Sequence, residues 1–134
     1  MKKPTLSICI PNYSRPKFLE NNLKSIAKQN QSGIEIVVCD DRSPEDIKSV
    51  IEKIKIKYPK VALKYKRNTK NLGFDKNVLK SISLASGKYC WLLSNDDQIL
   101  PESINKIIKT IKKHPRLALI LINYQRYDHL LKKI

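Results

Sequence analysis

Hydrophobic and polar positions follow two spacings along this chain. Short, nearly continuous apolar runs indicate buried strands, and apolar residues at i, i+3, i+4 and i+7 indicate amphipathic helices. The runs that predict strands are Thr5–Ile10, Ile34–Cys39, Val61–Tyr65, Tyr89–Leu93 and Leu117–Ile122. The stretches that predict helices are Lys17–Gln29, Ser43–Lys57, Asp75–Ala85 and Glu102–Lys112. This alternation predicts an α/β fold with a mostly parallel sheet covered by helices on both faces.

Apolar stripes predict which side of each helix faces the sheet. The stripes of the first, third and fourth helices are Leu19, Leu23, Ile26 and Ala27; Val78, Leu79, Ile82 and Ala85; and Ile104, Ile107, Ile108 and Ile111. The second helix has the clearest start signal, because Ser43 suits the N-cap and Pro44 the first turn. Asp46 then occupies the capping-box position.

The composition fits one domain, predicted over residues 1–124, with residues 125–134 as a tail or a truncated continuation. The three glycines are too widely spaced for a dinucleotide fingerprint or a P-loop. The longest apolar run, Leu117–Ile122, is too short to span a bilayer, and no signal peptide is visible, so we expect a cytoplasmic protein. The cysteines match no zinc spacing and are expected to be reduced core thiols.

The strong positive charge of the chain indicates which classes of partner it attracts. There are 27 basic and 12 acidic residues, which gives a net charge of +15. Between Lys48 and Lys80 the chain has 11 basic and two acidic residues. Such a segment attracts phosphate-bearing small molecules, nucleic acid or anionic lipid, although a solvated lysine surface is the simpler alternative.

Polar residues follow three of the predicted strands directly. They are Pro11, Asn12 and Tyr13; Asp40 and Asp41; and Ser94, Asn95, Asp96 and Asp97. Ligands of parallel sheets bind outside the carboxyl ends of the strands, so these residues mark a candidate site. Two adjacent carboxylate pairs repel unless a cation compensates them, which favours a divalent metal shared with substrate phosphates. The alternative is that the pairs are turn residues, with Asp97 capping the next helix.

Five segments in order resemble the amino-terminal, nucleotide-binding half of a family 2 glycosyltransferase with the GT-A fold. They are SICIPNYSRPKFL, EIVVCDDRS, NLGFDKN, ASGKY and LLSNDDQILP, and the resemblance runs from about Leu6 to about Tyr124. It implies a bacterial enzyme that transfers sugar from a nucleotide-diphosphate sugar during synthesis of cell-surface polysaccharide or glycolipid.

The resemblance also implies roles for the nucleoside-binding residues. Tyr13 would lie against the base, and Pro11 would shape the loop that places it. Asp41, together with Asp40, would bind the base edge or the ribose.

On the phosphate side, the resemblance implies that Asp97 ligates Mg²⁺ or Mn²⁺ and that Asp96 contacts the ribose or the metal. Lys76 stands where the family often has an arginine, and is followed by Asn77 as in the family. Ser94 and Asn95 stand where many members carry a further aspartate, which makes this metal site less acidic.

Family members usually run to about 250 residues or more, beyond the usual size of one compact unit. Their remaining half normally supplies the acceptor site and the Asp or Glu general base. Asp128 is the only acid after Tyr124, and we do not expect it to act as the base, so the catalytic base is unknown.

The expected partners are a nucleotide-sugar donor and a glycan or lipid-linked acceptor. The Lys48–Lys80 segment predicts possible peripheral association with the inner face of the cell membrane, and an open sheet edge at Leu117–Ile122 predicts self-association. One alternative is a truncated, inactive fragment that only binds nucleotide. The other is a basic module for nucleic acid or membrane surfaces. Nucleic acid is disfavoured because the acidic pairs repel phosphate and the aromatic residues form no stacking ladder.

Overall fold

The computed structural model describes residues 3–29, 32–128 and 132–133. Its elements are β1 (Leu6–Asn12), α1 (Pro16–Ala27), β2 (Ile34–Asp40), α2 (Ile47–Lys57), β3 (Leu63–Arg67), α3 (Phe74–Ser83), β4 (Tyr89–Leu92) and α4 (Ser103–Lys113). The strands form one parallel sheet in the order β3-β2-β1-β4. The predicted α/β class and parallel sheet are confirmed.

One face of the sheet carries the main hydrophobic core. Alternate residues of the central strands, such as Ile8 of β1 and Ile36 of β2, form a single buried cluster with the apolar stripes of α1, α2 and α4. The stripes predicted for α1 and α4 are confirmed, with Ile107 partly buried and the other members fully buried. Each buried Leu or Ile side chain contributes about 1.5–3 kcal/mol to folding.

Helix α3 covers the second face, and it does so with polar side chains. It contacts β1, β2 and β4, and its buried residues are Asn77 and Ser81. The predicted inward stripe is therefore wrong for Leu79 and Ile82, which are 67% and 40% exposed. Asn77 faces inward, where its side-chain amide donates to the backbone carbonyl of Cys39 in β2 at 3.0 Å.

The predicted fifth strand, Leu117–Ile122, does not form. Residues 117–122 are irregular, and Leu121 is 88% exposed, so β4 is the edge of the sheet on that side. Apolar composition alone does not make a strand, and residues 117–122 leave the outer edge of β4 unpaired. Of the predicted tail 125–134, residues 129–131 and 134 lie outside the described residues; Tyr127 and Lys133 form an antiparallel bridge.

Smaller differences concern where elements begin. β3 begins two residues later than predicted, and α2 begins at Ile47 with Asp46 as its N-cap, accepting from the Ser49 amide at 3.0 Å. Ser43 is therefore not the cap, and it lies buried in the loop after β2. Two cysteines are buried as predicted, but Cys90 is exposed because it lies on the edge strand β4.

No helix in the described part of the chain is both long and apolar enough to cross a membrane.

Candidate functional site

A pocket of about 210 Å³ opens at the carboxyl ends of β1 and β2. Its lining residues are Pro11, Asn12, Tyr13, Asp41, Asn71, Gly73, Phe74 and Asn77. The fold thus brings together four of the residues that marked the candidate site, Pro11, Asn12, Tyr13 and Asp41. They come from the ends of β1 and β2 and meet the loop and helix that follow β3. Parallel strands place their carboxyl ends at one edge, which explains the convergence.

Asn12, the last residue of β1, ties the neighbouring loops together. Its side chain is fully buried, and its Nδ2 lies 3.3 Å from the Ser43 Oγ and 3.5 Å from Asp40 Oδ1. Its Oδ1 accepts from Asn95 Nδ2 at 2.8 Å. The loops after β1, β2 and β4 are therefore fixed to one another through this amide.

Asp40 is almost completely buried and is engaged within the protein. It accepts a hydrogen bond from the Tyr65 hydroxyl at 3.0 Å, forms an ion pair with Arg67 Nε at 3.5 Å, and accepts from the Ser43 hydroxyl. Burial and the Asp40 charge raise the pKa of Tyr65, so this phenol stays protonated and donates. Ser43 in turn accepts from the Ser14 amide at 2.8 Å, which links Asp40 to the loop after β1.

Asp41 lines the pocket and holds the loop that precedes α3. Its Oδ1 accepts from Asn68 Nδ2 at 2.9 Å and from the Leu72 amide at 2.8 Å. Its Oδ2 accepts from the Gly73 amide at 2.9 Å. Gly73 has φ +84, a backbone conformation that favours glycine, and it immediately precedes the first turn of α3.

Buried asparagines complete the network, and one of them, Asn68, was not predicted from the sequence. Asn68 donates to Asn77 Oδ1 at 3.0 Å, and Asn77 donates to the carbonyl of Cys39 at 3.0 Å. Asn68 directly follows β3, so the strand-end rule could have found it if β3 had been placed correctly. Phe74 was also missed, because nothing in its sequence context separates a pocket aromatic from a core one.

The exposed aromatic rings lie at the mouth of the pocket. Tyr13 is 52% exposed and Phe74 is exposed as well. Pro11 is half-buried at the end of β1. Lys76 is exposed in the first turn of α3, next to the lining residue Asn77 but outside the lining itself.

Asp96 and Asp97 follow β4 in a separate loop and do not line this pocket. Asp96 accepts from Arg15 Nη1 at 2.8 Å and from the Ser94 hydroxyl at 2.6 Å. The loop is anchored to α1, since Asn22 Nδ2 donates to the carbonyl oxygens of Ser94 and Asp97, both at 2.8 Å. Burial raises the pKa of Asp97, and the Asp96 charge adds to this.

The Asp96–Asp97 pair has the chemistry of a partial metal site. Asp97 does not cap the next helix, whose N-cap is Glu102, so the capping alternative is wrong. Among the described residues, no three His, Cys, Asp or Glu side chains form a group that could hold a metal ion. Mg²⁺ is often held by one or two carboxylates with substrate phosphates as the other ligands, so the two aspartates fit such an ion.

Comparison with known proteins decides the family. The sequence profile of "Glycosyl transferase family 2" matches residues 7–133. The chain belongs to this family. An abequosyltransferase of Salmonella typhimurium is 38% identical over 101 residues, covering 74% of this chain and 30% of that protein. A glucosyltransferase of Campylobacter jejuni, named for GalNAc(5)-diNAcBac-PP-undecaprenol, is 30% identical over 106 residues, covering 79% and 34%. This family 2 chain thus spans about a third of the length of these relatives.

Solved structures confirm that the family 2 chain has the GT-A fold. A Pyrobaculum calidifontis mannosyltransferase in complex with GDP-Man and Mn²⁺ matches with a TM-score of 0.73 and 19% identity, covering 83% of this chain and 33% of that one. TarS from S. aureus in complex with UDP matches with a TM-score of 0.76 and 23% identity, covering 93% and 40%.

Proposed function

We propose that this family 2 domain binds a nucleotide-diphosphate sugar together with Mg²⁺ or Mn²⁺, for sugar transfer in the synthesis of cell-surface polysaccharide or glycolipid. The observation that carries the proposal is the pocket between Tyr13 and Asp41 at the carboxyl edge of the sheet. The Asp96–Asp97 loop follows β4, which pairs directly with β1, so both groups adjoin the same central strand.

The pocket suits the nucleoside part of such a ligand. Its volume of about 210 Å³ is below the ~300–1,000 Å³ of sites that enclose a whole drug-sized ligand, so the diphosphate and sugar would extend beyond it. The exposed Tyr13 ring offers a face for stacking on the base. Asp41 Oδ2 accepts one hydrogen bond within the protein, and a carboxylate oxygen can accept a second from the base edge or ribose.

Asp40 would act on the ligand indirectly. Its oxygens bond to Ser43, Tyr65 and Arg67, so we expect it to position the loops around the nucleotide rather than touch it. Pro11 would shape the same loop from the end of β1.

The diphosphate would lie between a divalent cation on one side and the ammonium group of Lys76 on the other. Asp97, with Asp96, would hold the divalent cation, which supplies charge neutralisation to the leaving diphosphate when it is bound. Lys76, exposed beside the pocket, would contribute a positive charge from the other side. The mannosyltransferase with GDP-Man and Mn²⁺ shares this fold and supports the choice of ligand and metal class.

The class of acceptor substrate is inferred from the surface charge of this chain and from the name of one relative. All 11 basic residues between Lys48 and Lys80 are exposed, and the C. jejuni relative is named for an undecaprenol-linked substrate. A glycan or lipid-linked acceptor, met at the inner face of the cell membrane, fits both observations. Co-sedimentation with anionic and neutral vesicles tests the membrane part: binding to the anionic vesicles alone supports it, and binding to neither contradicts it.

The proposal is tested by calorimetry of the 134-residue chain against UDP, GDP, CDP and dTDP in the presence of Mn²⁺. One of these nucleotides should bind measurably, and Asp41→Asn should weaken it because the amide loses acceptor capacity. Glu45→Gln, which also removes one exposed acidic charge but lies outside the pocket, is the control. No binding of any nucleotide would contradict the proposal.

A further inference from the structure

Arg15 connects the loop after β1 to the Asp96–Asp97 loop. Its Nη1 lies 2.8 Å from Asp96 Oδ2, and the two side chains are 60% and 38% exposed. The other Asp96 oxygen accepts from the Ser94 hydroxyl at 2.6 Å. Both oxygens of Asp96 are therefore engaged within the protein.

The local backbone explains why Arg15 reaches this carboxylate. Ser14 and Arg15 have φ +60 and +59, and the Ser14 amide is held by the Ser43 hydroxyl at 2.8 Å. Arg15 is the N-cap of α1, although its side chain makes no cap hydrogen bond. Ser, Thr, Asp or Asn at this position would stabilise the start of α1, so arginine makes the helix less stable. The Arg15 side chain contacts Asp96 instead of capping the helix.

A divalent cation and this guanidinium compete for the same carboxylate. Two positive groups on one oxygen repel, and at such short distance solvent screens the repulsion only partly. A cation that takes Asp96 Oδ2 as a ligand therefore displaces Arg15 from that oxygen. Because the same cation would bind the donor diphosphate, the displaced guanidinium would be within reach of phosphate oxygens, which its planar array of N–H donors matches.

We propose that Arg15 competes with the divalent cation for Asp96 and binds the donor diphosphate once the cation occupies that carboxylate. This inference rests on the proposed function. Its consequence is that cation and nucleotide bind cooperatively, because each favours the arrangement in which Arg15 has left Asp96.

The test measures Mn²⁺ binding without nucleotide, by the electron paramagnetic resonance signal of free Mn²⁺, and then nucleoside diphosphate binding at saturating Mn²⁺ by calorimetry. Arg15→Gln should tighten Mn²⁺ binding about 2- to 5-fold, the range for the loss of an exposed ion pair. The same variant should weaken nucleotide binding about 10-fold or more, the range for hydrogen bonds to charged groups. Arg15→Lys keeps the charge and should give smaller changes in the same directions.

Lys17→Gln is the matched control, since it removes an exposed positive charge from the start of the same helix. A smaller change in Mn²⁺ affinity for Lys17→Gln than for Arg15→Gln supports competition at Asp96. Two results would overturn the inference and leave the proposed function intact. One is an equal change in Mn²⁺ affinity in Lys17→Gln and Arg15→Gln, and the other is weaker binding of both Mn²⁺ and nucleotide in Arg15→Gln. A wild-type chain that binds neither Mn²⁺ nor nucleotide would overturn both.

Discussion

Buried amide side chains determine the shape of the pocket at the scale of single residues. Four buried side chains link strand ends to loops: Asn12, Asn68, Asn77 and Asn95. A satisfied hydrogen bond contributes about 0.5–1.5 kcal/mol, whereas a buried polar group left without a partner costs about 1–3 kcal/mol. The network therefore allows little variation in where the pocket residues stand, which preorganises them for a ligand.

Tyr13 provides the first prediction at this scale. Tyr13→Ala should weaken nucleoside diphosphate binding by about 1–3 kcal/mol, the range for stacking of a base on an aromatic ring. The melting temperature should change little, because the ring is half exposed and lies outside the main core. Tyr13→Phe keeps the ring and should bind nearly as well as the wild type. A large loss of stability with unchanged binding would show instead that Tyr13 serves the fold.

Glu35 provides a second prediction, away from the site. Burial alone would raise its pKa, but the Lys64 ammonium at 2.7 Å and hydrogen bonds from Ser7 and Ser86 hold the pKa at about 2. A lowered pKa means that Glu35 stabilises the fold above its unfolded pKa of about 4.3, and that this contribution is lost as the pH falls toward 2.

Glu35→Gln should therefore lower the free energy of unfolding at pH 7 by about 1–3 kcal/mol. The difference in free energy of unfolding between wild type and Glu35→Gln should become smaller as the pH falls from about 4.3 to about 2. Chemical denaturation across this range measures it, with Glu45→Gln as an exposed control. If the difference in free energy of unfolding did not depend on pH, the ionised form of Glu35 would not be the source of the stabilisation.

At the scale of elements, the loop between β2 and α2 divides two tasks between neighbouring residues. Asp46 caps α2 from an exposed position, while Ser43 is buried and contacts Asp40, Asn12 and the Ser14 amide. The sequence pattern gave the capping role to Ser43 because Ser-Pro is a common helix start. The buried partners of Ser43 come from other parts of the chain, so the local pattern could not indicate them.

These two residues should separate stability from binding. Asp46→Ala should cost about 0.5–2 kcal/mol of stability and leave nucleotide affinity unchanged. Ser43→Ala should lower stability and also weaken nucleotide binding, because the loop that carries Tyr13 loses its anchor. Thermal unfolding and calorimetry on both variants distinguish the effects. Equal nucleotide affinity in Ser43→Ala and the wild type would show that the loop needs no anchor.

The other elements show where sequence patterns succeed. The strands β1 and β2 were predicted well because central parallel strands are apolar on both faces, so no choice of face is needed. The face of α3 that packs on the sheet was predicted wrongly. Periodicity assumes that the apolar residues of a helix face inward, whereas in α3 Asn77 faces inward and donates to a backbone carbonyl of β2. In the site, the strand-end rule predicted Pro11, Tyr13 and Asp41, but it could not show that Asp40 is enclosed by Tyr65 and Arg67.

At the scale of the whole molecule, one face of the sheet is more completely covered than the other. Leu92 on β4 is 47% exposed, and Leu79 on α3 and Leu121 in the irregular segment after α4 are exposed as well. Self-association through an open sheet edge stays a prediction, and in this fold the open edge is β4 rather than residues 117–122.

We expect the 134-residue chain alone to bind nucleotide but to show at most weak hydrolysis of the sugar nucleotide. A positioned general base contributes about 10²–10⁴-fold to such a reaction, and orientation of the acceptor contributes about 7–11 kcal/mol. Neither has an assigned residue here, since Asp75 is exposed at the start of α3 and Asp128 accepts from the Lys132 amide. Efficient transfer to an acceptor panel in a radiolabelled-sugar assay would show that one of these acids acts as the base.

We infer that the Tyr13–Asp41 pocket and the Asp96–Asp97 loop bind one ligand, linked by a divalent cation. The test is a titration of the tightest-binding nucleoside diphosphate into wild type and Asp97→Ala, each with Mn²⁺ and with EDTA. We predict that binding requires Mn²⁺ in the wild type and that Asp97→Ala loses this metal-dependent binding while keeping its fold. Equal affinity of the wild type with Mn²⁺ and with EDTA would contradict the account.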